Sequence, residues 1–179
     1  GFLILFSKKI AVDDLKVWRD QSDHQITTIV EKPGASVINF NKLAPALKIK
    51  QVHDNLEERA RKNGIAATGF YNSAGVTTLN LWSDGLAKRD LIGISMFNGG
   101  TECCVPYGGK RGILGTNPMA YAIPTHDDPI GLDMATTEIP FFDVQNAKDQ
   151  NKPLKENAAV DFEGMPTTDA AAALNENGV

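Results

Sequence analysis

The sequence predicts an α+β fold: a mixed, largely antiparallel sheet with flanking helices. Two observations predict it. Short apolar or β-rich runs outnumber the stretches with helical periodicity, and the connections between them are short. The length, 179 residues, allows one domain with a real core or one domain plus a small appendage.

The elements follow in chain order. Val12-Asp13-Asp14-Leu15-Lys16 opens a short helix with an acidic first turn. Ile26 to Val30 is a strand, Pro33-Gly34 a turn, and Ser36 to Phe40 a second strand. The clearest element is a helix from Ala44 to Lys62. Pro45 sits in its first turn, where proline is tolerated, and Ala46, Ile49, Val52, Leu56 and Ala60 form one stripe. Glu57–Arg61 and Glu58–Lys62 are favourable i,i+4 pairs, and Asn63-Gly64 supplies a left-handed stop. A strand from Ile65 to Tyr71, a helix from Thr77 to Lys88 and a near-continuously apolar strand from Leu91 to Phe97 come next. A Gly-rich stretch runs from Asn98 to Thr116, followed by strands at Pro118–Pro124 and Ile130–Met134. Residues 143–164 read as polar and irregular, with room for one helix. Pro166-Thr167-Thr168-Asp169 then caps a short alanine-rich helix, Ala170 to Leu174.

Composition narrows the function classes. Hydrophobic residues make up 42% and charged residues 22%, at a formal net charge of −4. That balance is ordinary for a globular chain and gives no reason to expect nucleic acid, which needs clustered cations against phosphates. Lys48, Lys50, Arg59, Arg61 and Lys62 alternate with acids and read as a solvated helix face. No apolar run reaches the roughly 18 residues of a membrane span, and Gly1 to Phe6 is too short for a secretory core. Cys103 and Cys104 are the two cysteines; adjacent cysteines rarely bridge, which fits a reduced, cytoplasmic setting.

Metal and phosphate fingerprints are absent. No Gly-x-Gly-x-x-Gly opens a helix, Gly108-Gly109-Lys110-Arg111 lacks Walker spacing, and two adjacent cysteines with three scattered histidines offer no zinc ligand set. Two stretches retain chemistry. In Pro106 to Pro118, backbone amides with Lys110, Arg111 and the Thr116 hydroxyl are suited to a carboxylate or phosphate; a tight turn system with exposed charges explains the same residues. In Leu132-Asp133-Met134-Ala135-Thr136-Thr137, a strand ends in small polar residues that either open an anion-binding helix terminus or simply place Asp133 or Thr136 as an N-cap.

Three ordered motifs settle a resemblance. The run Gly109 through Gly115-Thr116-Asn117-Pro118-Met119-Ala120 to Pro124, the run Leu132 to Thr136, and the run Pro166 to Leu174 together resemble the type-2 malate/L-lactate dehydrogenase family. That family includes ureidoglycolate, sulfolactate and diketogulonate dehydrogenases and cyclic ketimine reductases. The likeness covers about residues 36–179, leaving 1–35 as an N-terminal segment that either packs on this domain or is a cloning remnant.

The resemblance implies a non-Rossmann sheet domain that binds NADH or NADPH. It implies hydride transfer between the nicotinamide and a 2-hydroxy/2-oxo acid or cyclic imine carboxylate, in a homodimer. By motif position, Thr101, Thr116, Asn117, Asp133, Met134, Ala135, Thr136, Thr137, Glu138 and Ile139 fall on cofactor-lining positions and Lys110 on a basic one; Lys110 and Arg111 are the candidates for a substrate carboxylate or phosphate. The Leu81-Trp82-x-Asp84 run is similar to the ketimine-reductase branch, although a tryptophan on an apolar helix also serves as core.

The departures are equally specific. The family's catalytic histidine lies in a Ser-His-Gly motif. Ser22-Asp23-His24-Gln25 imitates it, but His24 lies too close to the strand at 36–40 and no glycine follows. The family's Ser-Asn-His-Phe-Gly aligns with Ser73-Ala74-Gly75-Val76-Thr77, without its histidine. His53 lies at the edge of a helix stripe and His126 in a turn, so no catalytic residue is assigned. Two function classes therefore stand: a dehydrogenase piece inactive alone, or a non-catalytic binding or assembly module on the same scaffold.

Overall fold

The structure, a computed structural model, describes residues 24–74, 78–98 and 102–174. The helix expected at Val12 and the cofactor candidate Thr101 lie outside those residues. The described strands divide among three sheets. β1 (Thr27–Lys32) and β2 (Ala35–Asn39) form an antiparallel hairpin about Pro33-Gly34. β2 then pairs in parallel with β3 (Ala67–Tyr71). A parallel pair needs a crossover, which a 3-10 turn, Pro45–Lys48, and α1 (Ile49–Asn63) supply.

The second sheet is an antiparallel meander of β4 (Gly93–Met96), β5 (Met119–Ile123) and β6 (Ile130–Met134). α2 (Asn80–Ala87) packs across it. The third is a two-stranded ribbon of β7 (Ala159–Val160) and β8 (Pro166–Thr167), flanked by α3 (Phe141–Asp149) and α4 (Ala170–Ala173). The mixed, largely antiparallel character stands, because β2–β3 is the one parallel pair among the described strands.

Burial follows the periodicity. On the predicted helix stripe Val52 is buried, while Ala46, Ile49, Leu56 and Ala60 are half-buried. Gly64 takes the left-handed conformation (φ 80°) and its N–H bonds Ala60 O at 2.8 Å, ending α1 as expected. Glu57 pairs with Arg61. Arg59 departs from the solvated face: its side chain is only 13% exposed and clamps Glu31 and the Lys32 carbonyl beside the Pro33-Gly34 turn. Ile38, Phe40, Leu43, Val52, Leu79, Trp82 and Ala120 form the main core. The Trp82 ring lies 5.2 Å from Phe70 and edge-on to His53, so this tryptophan is core. A second cluster joins Val144, Leu154, Ala170 and Ala173. Asp169 accepts from Ala171 N at 2.8 Å, the cap read from sequence.

The second sheet has two unlike faces. Gly93, Ala120 and Ala122 are buried, and α2 lies over them. The alternate residues Ile94, Met96, Tyr121, Ile123, Ile130, Leu132 and Met134 are exposed, as period-two alternation requires when only one face is covered. The β4 run, continuous in apolarity, is thus open on one side.

His53 is buried beneath α2, with Nε2 3.0 Å from Trp82 O. Burial, and then the nearby Arg89 guanidinium, push its pKa below the ordinary 6.5, partly offset by the Trp82 carbonyl and Asp54. The imidazole is therefore neutral and donates Nε2–H to that carbonyl. In the unfolded chain the same group takes up a proton at its ordinary pKa, so the unfolded state binds more protons and stability falls as pH drops below 6.5. The carboxylates of Asp54 and Glu57, held low by their bonds to Lys50, Arg61 and Arg89, lose their contribution only at more acidic pH. The urea midpoint of the wild-type chain is expected to decline between about pH 7 and pH 5, with a flatter profile in His53→Gln; parallel profiles would refute the assignment.

Candidate functional site

Within the Gly-rich stretch, residues 104–114 form a closed loop. An antiparallel bridge between Cys104 and Leu114 pins its base. Inside it Gly109 N donates to Pro106 O at 2.7 Å, Gly108 takes φ 75°, and Tyr107 is fully exposed. Lys110 and Arg111 are both exposed. The Lys110 stem rests against the β7–β8 turn so closely that a Cβ on Gly164 would fall 2.4 Å from Lys110 Cβ. The tight turn with exposed charges is therefore present, and those charges are free to meet an anion.

The two chemistry-bearing stretches meet at Thr136. Its N–H bonds Thr116 O at 3.0 Å, and its single hydroxyl proton is shared between Thr116 O at 3.0 Å and Asn117 O at 3.2 Å. One residue thus joins the end of β6 to the segment leading into β5. Asn117 sits at φ 38° in the left-handed region, which asparagine tolerates. Its side-chain oxygen is buried and has no hydrogen-bond partner, an exception among native buried polar groups.

The other candidates on this segment are held individually. Asp133 Oδ2 accepts from Asn80 N at 2.9 Å, so this carboxylate secures the first turn of α2 from the neighbouring strand. Negative charge is favourable there, since helix-start amides are unpaired. Met134 is exposed and Ala135 half-buried. Thr137 donates to Ile139 O at 2.8 Å, Glu138 pairs with Lys155, and Ile139 packs on the second core. Both ion-pair partners are exposed, which makes that pair a weak tie. The following helix opens only at Phe141, after Pro140, so neither Asp133 nor Thr136 caps it. The link from Asp133 to Asn80 spans 53 positions, and no local sequence signal marks it.

The histidines do not converge here. His53 is core, and His24 is exposed ahead of β1. His126 lies in the β5–β6 turn, at the opposite end of both strands from Thr116 and Thr136. A five-residue strand separates those ends by about 17 Å. Neither described cavity is lined by the junction. One of about 330 Å³ lies by Lys148, Lys152 and Asp169, and one of about 100 Å³ lies among Val52, Trp82 and Ser95. Among the described residues no group of three or more His, Cys, Asp or Glu is placed to hold a metal, and no helix is long and apolar enough to cross a membrane.

Separate small sheets, one mixed and two antiparallel, with a closed Gly-rich loop and a threonine junction define a class of α+β domain distinct from the doubly wound dinucleotide binders. Within that class a family model for malate/L-lactate dehydrogenase matches residues 9–179, and the chain belongs to that family. Malate/(S)-sulfolactate dehydrogenase of Methanothermus fervidus is 33% identical over 165 residues, 92% of this chain and 48% of the relative. Ureidoglycolate dehydrogenase (NAD(+)) of Escherichia coli O157:H7 is 32% identical over 78% of this chain and 40% of its own length. Among solved structures, delta1-piperideine-2-carboxylate reductase from Pseudomonas syringae superposes with a TM-score of 0.80 at 26% identity, covering 87% of this chain and 47% of that one. The chain spans about half the length, or less, of the relatives it matches.

Proposed function

We propose that this chain is the cofactor-handling part, residues 36–179, of an NAD(P)H-dependent oxidoreductase acting on a 2-hydroxy/2-oxo acid or a cyclic imine carboxylate. The Thr136 junction carries the reading, because it draws the two family motifs into one surface. NADH or NADPH, when bound, supplies the hydride. Thr101, Thr116, Asn117 and the segment Asp133–Ile139 line it. The unpartnered Asn117 oxygen fits an amide-bearing ligand, since it lacks the N–H donor that a buried acceptor requires. Lys110 and Arg111 hold a carboxylate or phosphate through charge-assisted hydrogen bonds. No histidine of this chain reaches the junction to protonate a nascent alkoxide, so the chain alone is inactive in turnover.

The test is a fluorescence titration with NADH and with NADPH, which also decides between them. Saturation below ~1 mM is expected, within the usual enzyme range; no change at that concentration would sink the proposal. Turnover by the isolated chain at ordinary enzyme rates would sink its inactive half. Thr136→Val removes one hydroxyl proton shared between two carbonyls, a bifurcated bond contributing about 1 kcal/mol. Cofactor affinity is expected to fall about fivefold, with a shift of only a few degrees in Tm. Equal affinity in the variant would show that the junction does not shape the site.

The open face of the second sheet supports a homodimer, because monomers rarely expose contiguous apolar patches of that kind. Sedimentation velocity showing only monomer at micromolar concentration would count against it. The free thiols of Cys103 and Cys104 fit a cytoplasmic setting.

A further inference from the structure

Adjacent residues on a regular strand point to opposite faces, so neighbouring cysteines ordinarily hold their sulfurs apart. Here Cys103 N and Cys104 N both donate to Leu114 O, at 2.9 and 2.8 Å. Two residues thus oppose one, which is a β-bulge, and a bulge re-aims side chains. The two sulfurs consequently lie 3.7 Å apart, both half-buried and both free.

We propose that Cys103 and Cys104 form a vicinal-dithiol site that captures a trivalent thiophilic centre of the arsenous-acid class, bridging both sulfurs through one atom. The bite suits a single bridging atom. Two sulfur bonds of about 2.3 Å, meeting at the roughly 95–105° of a pyramidal trivalent centre, span about 3.4–3.6 Å, so the observed 3.7 Å needs only a small inward rotation of the thiols. A direct disulfide suits it poorly. It would draw the sulfurs to about 2.05 Å across one peptide whose Cα atoms lie about 3.8 Å apart, short of the usual ~4.4 Å minimum.

The step needs no oxidant. Two As–O bonds break and two As–S bonds form; each thiol proton leaves with a hydroxyl as water, and arsenic stays trivalent. Burial first, and then the neighbouring Cys103, push the Cys104 thiol up to about 12. That holds it protonated and slows thiolate-dependent oxidation and alkylation, while condensation with an arsenous hydroxyl proceeds from the thiol itself. No third His, Cys, Asp or Glu completes a metal set among the described residues, which favours a centre satisfied by two sulfurs and its own substituent.

The probe is phenylarsine oxide, added to the full reduced chain and read by native mass spectrometry. One phenylarsenic unit per chain is expected, surviving excess 2-mercaptoethanol and removed by 2,3-dimercaptopropanol. Cys103→Ser and Cys104→Ser are each expected to lose the monothiol-resistant adduct, with circular dichroism confirming the fold. The wild-type competition stands alone if a variant fails to fold. A wild-type adduct stripped by 2-mercaptoethanol, or no adduct, would overturn the proposal, as would a folded single-serine variant that keeps a monothiol-resistant one.

Discussion

Gly93→Ala is expected to cost ~3 kcal/mol or more, at or beyond the upper end of ordinary overpacking. A Cβ at this position of β4 would sit 2.4 Å from Ser83 O, 2.8 Å from Ser83 Cα and 2.9 Å from Ser83 C. Every one of those atoms is backbone of α2, and Ser83 itself is fully buried, so no side chain can rotate away. Relief requires the helix to lift from the sheet. Gly93 pairs with Ala122, and Ala120 beside it is also fully buried, so lifting α2 opens a void over a floor of small residues. The same movement pulls Asn80 away from Asp133 Oδ2 and so disturbs the strand leading to Thr136. With total stabilities of about 5–15 kcal/mol, such a loss is a large fraction of the whole. Urea denaturation measures it, with Gly69→Ala as the control. Gly69 lies on β3 with nothing within 4 Å of its added Cβ, and that change is expected to be neutral or mildly stabilising. Equal stability of the Gly93 and Gly69 variants would refute the close approach.

Much of this arrangement was legible in the sequence, and the rest was hidden for a common reason. The α1 stripe with its Gly64 stop, the strands before and after Pro33-Gly34, the Pro118–Pro124 and Ile130–Met134 strands and the Asp169 cap are local signals of period, turn chemistry and capping. The strands and the cap lie within about two residues of their expected bounds, whereas the helix expected from Ala44 begins only at Ile49, its first turn, Pro45–Lys48, being 3-10. Periodicity names the face of a strand but not its neighbour. Nothing local says that β2 pairs in parallel with β3 while β4 begins a separate sheet. The two-residue strands β7 and β8 are too short to carry a period.

At the site, composition marked Asp133 and Thr136 as cap candidates, yet their partners lie far away in sequence. Asp133 holds the start of α2, and Thr136 holds the carbonyls of Thr116 and Asn117. The bulge at Cys103-Cys104 was equally invisible, since it depends on the register against Leu114. What the motifs conveyed was family membership. What they left out was the set of hydrogen bonds that turns two motifs into one surface.

Gly85→Ala is the second large effect expected, and it differs in kind because the atom it meets belongs to a side chain. A Cβ there would lie 2.2 Å from His53 Cε1 and 2.8 Å from Nδ1. The imidazole lies over the helix where α1 crosses α2, with Nε2 on Trp82 O. An alanine displaces the ring, breaks that buried hydrogen bond and loosens the edge contact with Trp82. Overpacking and the lost bond together amount to about 2–4 kcal/mol, and the helix preference for alanine over glycine returns at most ~1 kcal/mol. Because the obstacle is a side chain, it can be removed. In His53→Ala/Gly85→Ala the new methyl occupies space the ring vacated, so the double variant is expected to lie closer to His53→Ala alone than the sum of the single losses predicts. A coupling of about 1 kcal/mol or more is the expected result of the denaturation cycle. It should be accompanied by loss of the stability decline below pH 6.5 that the buried imidazole imposes. Strict additivity would mean that Gly85 is required for something other than the ring above it.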